Sequence, residues 1–106
     1  MSVTITVKKG DTARVITDTL TLDGTAIDLT DATVLLIWKF NGTVSRTRTA
    51  TIVDAAAGEI SYQLLEADVD TAGVVEFEWE ITFGDDTVLT VPTDGVLTLG
   101  IVEDLG

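Results

Sequence analysis

Residues 73–83, GVVEFEWEITF, decide the fold of this protein. Apolar side chains occupy every second position from Val75 to Phe83, and polar residues lie between them. Successive side chains of a β-strand point to opposite faces, so the segment predicts a strand with one apolar and one acidic face. The acidic residues, called the glutamate row below, are Glu76, Glu78 and Glu80. The apolar face is expected to cover a core, and the glutamate row to lie on the other side.

The rest of the chain is predicted to form short strands of the same kind. Turn signals such as Asp23-Gly24 and Asn41-Gly42 recur about every 8–12 residues. The further strands are predicted at residues 3–7, 14–22, 33–40, 44–53, 59–65, 87–91 and 96–102. Residues 66–73 are compatible with one helical turn or a loop. We therefore expect an all-β fold over residues 1–106, a single immunoglobulin-like antiparallel β-sandwich of about seven to nine short strands, with a small barrel as the alternative.

Two segments and the two tryptophans indicate how the layers of such a sandwich are arranged. Residues 34–38 are apolar on both faces, which is typical of a central strand that is covered on both sides. Residues 44–53 carry two arginines and several threonines, which favours a mostly exposed edge strand. The strand parity of Trp38 and Trp79 predicts that both indoles lie in the core between the sheets.

Composition excludes several classes of function. The chain has 18 Asp and Glu against 6 Lys and Arg, a net charge of −12, which would repel phosphate backbones and anionic membranes. Neither nucleic acid nor membrane is therefore an expected partner. The sequence has no signal-peptide pattern and no apolar run long enough for a membrane helix. It has no histidine and no cysteine, so the usual proton-transfer group and thiolate chemistry are both missing.

The glutamate row is the first candidate site. Alternate side chains on one strand face are roughly 6.5–7 Å apart, too far for two carboxylates to close on one small ion unaided. We therefore interpret the row as a solvated face in the first place and as a contact for a basic partner in the second. Lys39, or Arg46 and Arg48, are possible cross-strand neighbours. No metal or other cofactor is predicted.

Other acidic and nucleophilic residues give little support for catalysis. Asp68 and Asp70 form an Asp-x-Asp pair, but the remainder of a calcium-loop pattern is missing, and turn-forming aspartates explain the pair. The serines have no histidine to act as base, and no spacing selects a pair of catalytic carboxylates. The sequence therefore predicts a protein without catalytic residues, and a hydrolase with paired carboxylates is the weakest hypothesis.

A series of landmarks along the chain carries a family resemblance. In order, they are Lys9-Gly10-Asp11-Thr12, residues 19–24, residues 27–30, residues 52–58, Tyr62, residues 68–73, which lead into the strand at 73–83, and Thr90-Val91-Pro92-Thr93-Asp94-Gly95. This succession, from about Val3 to Glu103, resembles the N-terminal domain family of phage upper baseplate proteins of the BppU type. The resemblance implies an immunoglobulin-like sandwich that anchors a receptor-binding or adhesin assembly to a phage particle.

The resemblance implies a non-enzymatic virion protein, assembled in the host cytoplasm, that docks on a symmetric array. The implied partners are phage structural proteins of the baseplate or tail, and the protein would be a homo-oligomer or present in multiple copies. The chain ends where the family domain ends, so a small accessory protein bound to the major capsid protein is an alternative. A module that binds host carbohydrate through an exposed indole is another.

Edge strands and charge suggest where such docking would occur. Terminal strands offer unpaired backbone groups for strand addition, so two segments are candidate partner contacts in addition to the glutamate row. The residues concerned are Val3, Ile5 and Val7 at the start of the chain and Leu97, Leu99 and Ile101 near its end.

Overall fold

The computed structural model describes residues 4–40, 43–92 and 97–103. Its strands are β1 (Thr4–Lys8), β2 (Val15–Thr19), β3 (Thr21–Leu22), β4 (Thr25–Ala26), β5 (Thr33–Phe40), β6 (Thr43–Thr49), β7 (Thr51–Asp54), β8 (Glu59–Gln63), β9 (Gly73–Thr82), β10 (Val88–Val91) and β11 (Leu97–Val102). A single 3₁₀ turn, Glu66–Asp68, precedes β9. No helix within the described ranges is long and apolar enough to cross a membrane.

The strands form two sheets and a small hairpin, so the predicted all-β, sandwich-like architecture is confirmed. The larger sheet has the order β1-β11-β9-β5-β6, and β10 pairs with the part of β9 that β11 leaves free. The smaller sheet has the order β2-β8-β7, and β3 pairs with β4. The described residues contain eleven strands rather than seven to nine, because two predicted strands are divided and β4 was not predicted.

One pairing departs from the expected antiparallel pattern. Strand β1 runs parallel to β11, with Ile5 opposite Leu99 and Val7 opposite Ile101. Parallel neighbours need a long connection between them, and here the connection is almost the whole chain. The sequence contains no local signal for this pairing, since the two strands are brought together only by the completed sandwich.

Two predicted strands are interrupted where the chain changes direction. Within residues 14–22, the buried Leu20 separates β2 from β3; its N–H donates to Gly58 O and its carbonyl accepts from Ile27 N–H. Within residues 44–53, the buried Ala50 separates β6 in the larger sheet from β7 in the smaller one. At Leu20 the chain leaves the smaller sheet for the β3–β4 hairpin, and at Ala50 it passes from the larger sheet to the smaller one, so the prediction of unbroken strands is wrong at these two residues.

Turn chemistry explains the best-defined connections. The turn predicted at Asp23-Gly24 joins β3 to β4, and both residues have positive φ, 54° and 82°, as a type I′ turn requires. Gly58 also has a positive φ, 70°, and a Cβ there would lie 2.7 Å from Leu20 O. Only glycine fits this close approach of three backbone segments. The predicted turns at Asn41-Gly42 and Asp94-Gly95 lie outside the described residues.

The core lies between the two sheets and is built around aromatic residues. Trp38 and Trp79 are 2% and 1% exposed, which confirms that both belong to the core. The Phe77 ring lies between them, with ring centroids 5.9 Å from Trp38 and 5.8 Å from Trp79. Alternate residues of β9 are buried and partly exposed, so the predicted two-faced strand is confirmed.

Candidate docking surfaces

The first candidate surface is the free edge of β1. Among the described strands β1 pairs only with β11, so its other side offers backbone groups to a partner, as predicted for an edge strand. Val7 is buried and Ile5 is partly buried against the core. Val3 lies outside the described residues. Contact through β1 would therefore use its backbone and its outward residues rather than Ile5 and Val7.

The expectation that β11 is an exposed edge is wrong. It lies between β1 and β9, with both sides of its backbone paired. Leu97, Leu99 and Ile101 are buried and belong to the core. The terminal position of a strand in the sequence does not make it an edge of a sheet, because β1 returns to cover it.

The glutamate row lies on the outer face of the larger sheet, the face opposite the core. All three carboxylates are partly exposed. Glu78 accepts a hydrogen bond from Lys39, with 2.6 Å between Nζ and Oε1, and its side chain is 17% exposed. This hydrogen bond and the charge of Glu78 raise the pKa of Lys39. Of the predicted basic neighbours, Lys39 on β5 is therefore the one that pairs with the row.

The outer face also carries apolar side chains beside the glutamates. Leu35 and Ile37 of β5 pair with Glu80 and Glu78 across the strands, and both remain partly exposed. The prediction that β5 is central is confirmed, since it lies between β9 and β6. The prediction that it is covered on both sides is wrong, because no described element packs on the outer face. The result is an apolar strip with carboxylates of β9 on one side and threonines of β6 on the other.

Sequence reasoning missed a cluster built around Asp68. Its side chain is completely buried and lies beside two arginines of β6: Arg46 Nη1 is 2.9 Å and Arg48 Nε is 3.2 Å from Asp68 Oδ1. The other oxygen, Oδ2, accepts hydrogen bonds from the Tyr62 hydroxyl and from Leu65 N–H. These five residues are called the Asp68 cluster below. It ties β8 and the 3₁₀ turn to the edge strand β6.

The cluster changes the interpretation of several residues. The bond to Leu65 N–H is the turn chemistry predicted for Asp68, but three side chains bind it as well. Arg46 and Arg48 belong to an edge strand as predicted, yet they are partly buried and point to the core side. The one signal in the sequence was the alternation of Arg46 and Arg48, which places both on one face of the strand.

Electrostatics keep Asp68 ionised. Burial raises the pKa of its carboxyl, but the hydrogen bonds from Tyr62, Leu65 N–H and Arg46 and the charge of Arg48 outweigh burial, so the pKa lies below the usual 3.8. Burial and the bond to Asp68 raise the pKa of Tyr62, which stays protonated as the donor. A carboxylate whose oxygens are all bonded within the protein has a structural role.

The buried indoles remove the basis for carbohydrate stacking. A stacking platform requires an exposed aromatic face, and neither tryptophan provides one. The Trp38 Nε1–H has no hydrogen-bond partner among the described residues, but the atom itself is buried and therefore beyond the reach of a sugar hydroxyl.

Comparison with known proteins identifies the family of this chain. The family model for the BppU N-terminal domain matches residues 1–93, which include every described strand except β11. A search of curated proteins finds no match. Since the matched region covers most of the 106 residues, the chain belongs to the BppU N-terminal domain family, and it is a phage baseplate-related structural protein of the virion.

Proposed function

We propose that this chain is a single immunoglobulin-like domain without enzymatic activity that docks on a symmetric array of phage proteins in the baseplate or tail. Family membership supports the baseplate setting. The observation that carries the docking proposal is the outer face of the larger sheet, where Leu35 and Ile37 are partly exposed beside the glutamate row. A face of this kind combines apolar area for affinity with charge for orientation.

The charge on this face defines the partner surface. Glu76 and Glu80 have no ion-pair partner among the described residues, whereas Glu78 is paired with Lys39. The net charge of −12 adds a long-range attraction toward basic surfaces. The partner is therefore a phage structural protein with lysines or arginines beside an apolar patch, and the repeated copies of that protein set the number of copies of this chain on the particle.

Particle binding by matched variants tests the proposal. In the test variant, Glu76, Glu78 and Glu80 are changed together to Gln; in the control, Glu59, Glu66 and Glu103 are changed to Gln. Both lose three negative charges, but the control residues are exposed and lie away from the outer face. We expect both variants to fold cooperatively, and only the test variant to bind weakly to phage particles lacking this chain.

Salt and location complete the test. Wild-type binding should weaken as ionic strength rises, and the test variant should lose most of that dependence. Equal loss in both variants would contradict docking through this face, and an absence of stoichiometric binding would contradict a structural role altogether. Electron microscopy of labelled particles should place the chain at the baseplate or tail. A label on the phage head would contradict this location and would indicate a capsid decoration protein instead.

A further inference from the structure

A groove opens between the two sheets along β2, on the side of the sandwich away from β6. Its volume is about 570 Å³. The β2 wall includes Ile16 and Leu20, and the larger sheet contributes Phe77, Trp79, Val91 and Leu97. The groove is therefore apolar inside, and it follows most of β2, from Ile16 to Thr19.

The backbone of β2 has a free side along this groove. Leu20 N–H donates to Gly58 O and Leu64 N–H donates to Arg14 O, so even-numbered residues from Arg14 to Leu20 face β8. In an antiparallel pair the residues between them turn their N–H and C=O groups to the other side. Val15, Thr17 and Thr19 therefore direct their backbone groups away from β8, and no described strand pairs with them there.

Asp18 limits how much of this edge is open. Its Oδ1 accepts a hydrogen bond from Thr19 N–H at 2.8 Å, and its Oδ2 accepts one from Trp79 Nε1–H at 2.9 Å. An inward-pointing charged residue of this kind protects an edge strand from indiscriminate pairing. The donor of Thr19 is occupied, whereas the N–H groups of Val15 and Thr17 have no partner within the described residues. The open part of the edge is short.

The groove also selects the charge of its occupant. Asp18 and Asp23 line it, and no lysine or arginine does. We propose that the β2 groove binds an extended segment of a partner protein by strand addition to Val15 and Thr17, with an apolar side chain entering the groove and a basic side chain near Asp18 or Asp23. The inference rests on the proposed function, because the partner is another phage structural protein, but it uses a surface distinct from the outer face.

A peptide array tests the inference directly. The probes are overlapping 14-residue synthetic peptides that span the structural proteins of a phage particle containing this chain. We expect binding by a peptide with an apolar and a basic residue two positions apart, since both side chains must point to the groove side of an added strand, and slower hydrogen exchange of the Val15 and Thr17 amides when it is bound. Thr17→Pro should weaken binding at least about tenfold, because it removes a free donor that β8 does not use.

A matched control is available at the same position. Thr17→Val keeps the N–H and the branched side chain and should bind like the wild type. The hydrogen-exchange result on the wild-type chain stands even if the proline variant fails to fold. The inference would be overturned if no peptide binds, or if a bound peptide does not slow hydrogen exchange at Val15 and Thr17. It would also be overturned if Thr17→Pro binds as tightly as Thr17→Val. Self-association that Thr17→Pro abolishes would also overturn it, since the edge would then serve a second copy.

Failure of this inference is distinguishable from failure of the proposed function. Suppose that the Thr17→Pro chain binds to particles normally and the outer-face glutamine variant does not. Docking through the outer face would then stand, and only strand addition at β2 would be refuted. If the wild-type chain itself does not associate stoichiometrically with the particles, the proposed function itself is refuted.

Discussion

The two sides of the sandwich are closed by different means, although each uses an aspartate. On the β6 side, the chain passes between the sheets through Ala50, and Asp68 binds two arginines, a tyrosine and a backbone amide. On the β2 side, Asp18 joins the sheets by accepting a hydrogen bond from Trp79, and no ion pair among the described residues lies there. The first side has a paired carboxylate and a cavity of about 240 Å³ beside it, whereas the second has a larger groove of about 570 Å³ next to a strand edge that no described strand pairs with.

This difference indicates how one small sandwich separates stability from recognition. A buried carboxylate is tolerated only when all its oxygens are bonded, so the Asp68 cluster holds one side in a single arrangement. Asp18 is partly exposed and binds two neutral donors, so it restrains the other side without filling it. The rigid side supports the core, and the open side remains available to a partner strand.

The largest effect is expected from removal of the Asp68 carboxylate. Asp68→Ala leaves Arg46, Arg48 and Tyr62 without their common acceptor and should lower the free energy of unfolding by about 3 kcal/mol, since two of the partners are partly exposed and regain water. Urea denaturation measures the change. The control is Asp70→Ala, which is exposed and should change stability by less than about 0.5 kcal/mol. Similar losses in both variants would show that the cluster does not close this side.

The contribution of Asp68 should depend on pH. Its pKa is lower in the folded protein than the ordinary 3.8, so its stabilisation is present above the unfolded-state value and is lost as pH falls through the folded-state value. Asp68→Asn cannot ionise. The difference in unfolding free energy between wild type and Asp68→Asn should therefore be constant near neutral pH and shrink below about pH 4.

Comparison with this variant is needed because acid also neutralises the other carboxylates of a chain with net charge −12. Their mutual repulsion decreases in both proteins alike, so it cancels in the difference. A difference that stays constant down to pH 2.5 would contradict a lowered pKa for Asp68.

A smaller effect is expected on the open side. Asp18→Ala leaves Trp79 Nε1–H and Thr19 N–H without their acceptor and should reduce stability by about 1 kcal/mol, because water can reach this partly exposed position. Asp18→Asn retains an acceptor oxygen and should lose less. A loss from Asp18→Ala equal to that from Asp68→Ala would remove the distinction between the two sides. The outer-face glutamine variant, which breaks no core contact, should have the smallest effect on folding.

The periodicity of the sequence was sufficient for much of this structure. Alternation in β9 identified its core face and the outward position of the glutamate row, and Asp23-Gly24 identified a hairpin turn. Both are local properties, because side-chain direction and turn geometry depend on neighbours in the chain. The family landmarks predicted a baseplate-related protein, which the family match to residues 1–93 supports.

Long-range contacts account for what the sequence left open. The parallel pairing of β1 with β11 makes β11 an interior strand, and it joins residues at opposite ends of the chain. The cluster at Asp68 unites residues about 20 positions apart, and the groove at Asp18 depends on which strand lies next to β2. Alternation specifies which way a side chain points, whereas burial and ion pairing depend on which strands meet across the sandwich, and no local pattern encodes that choice.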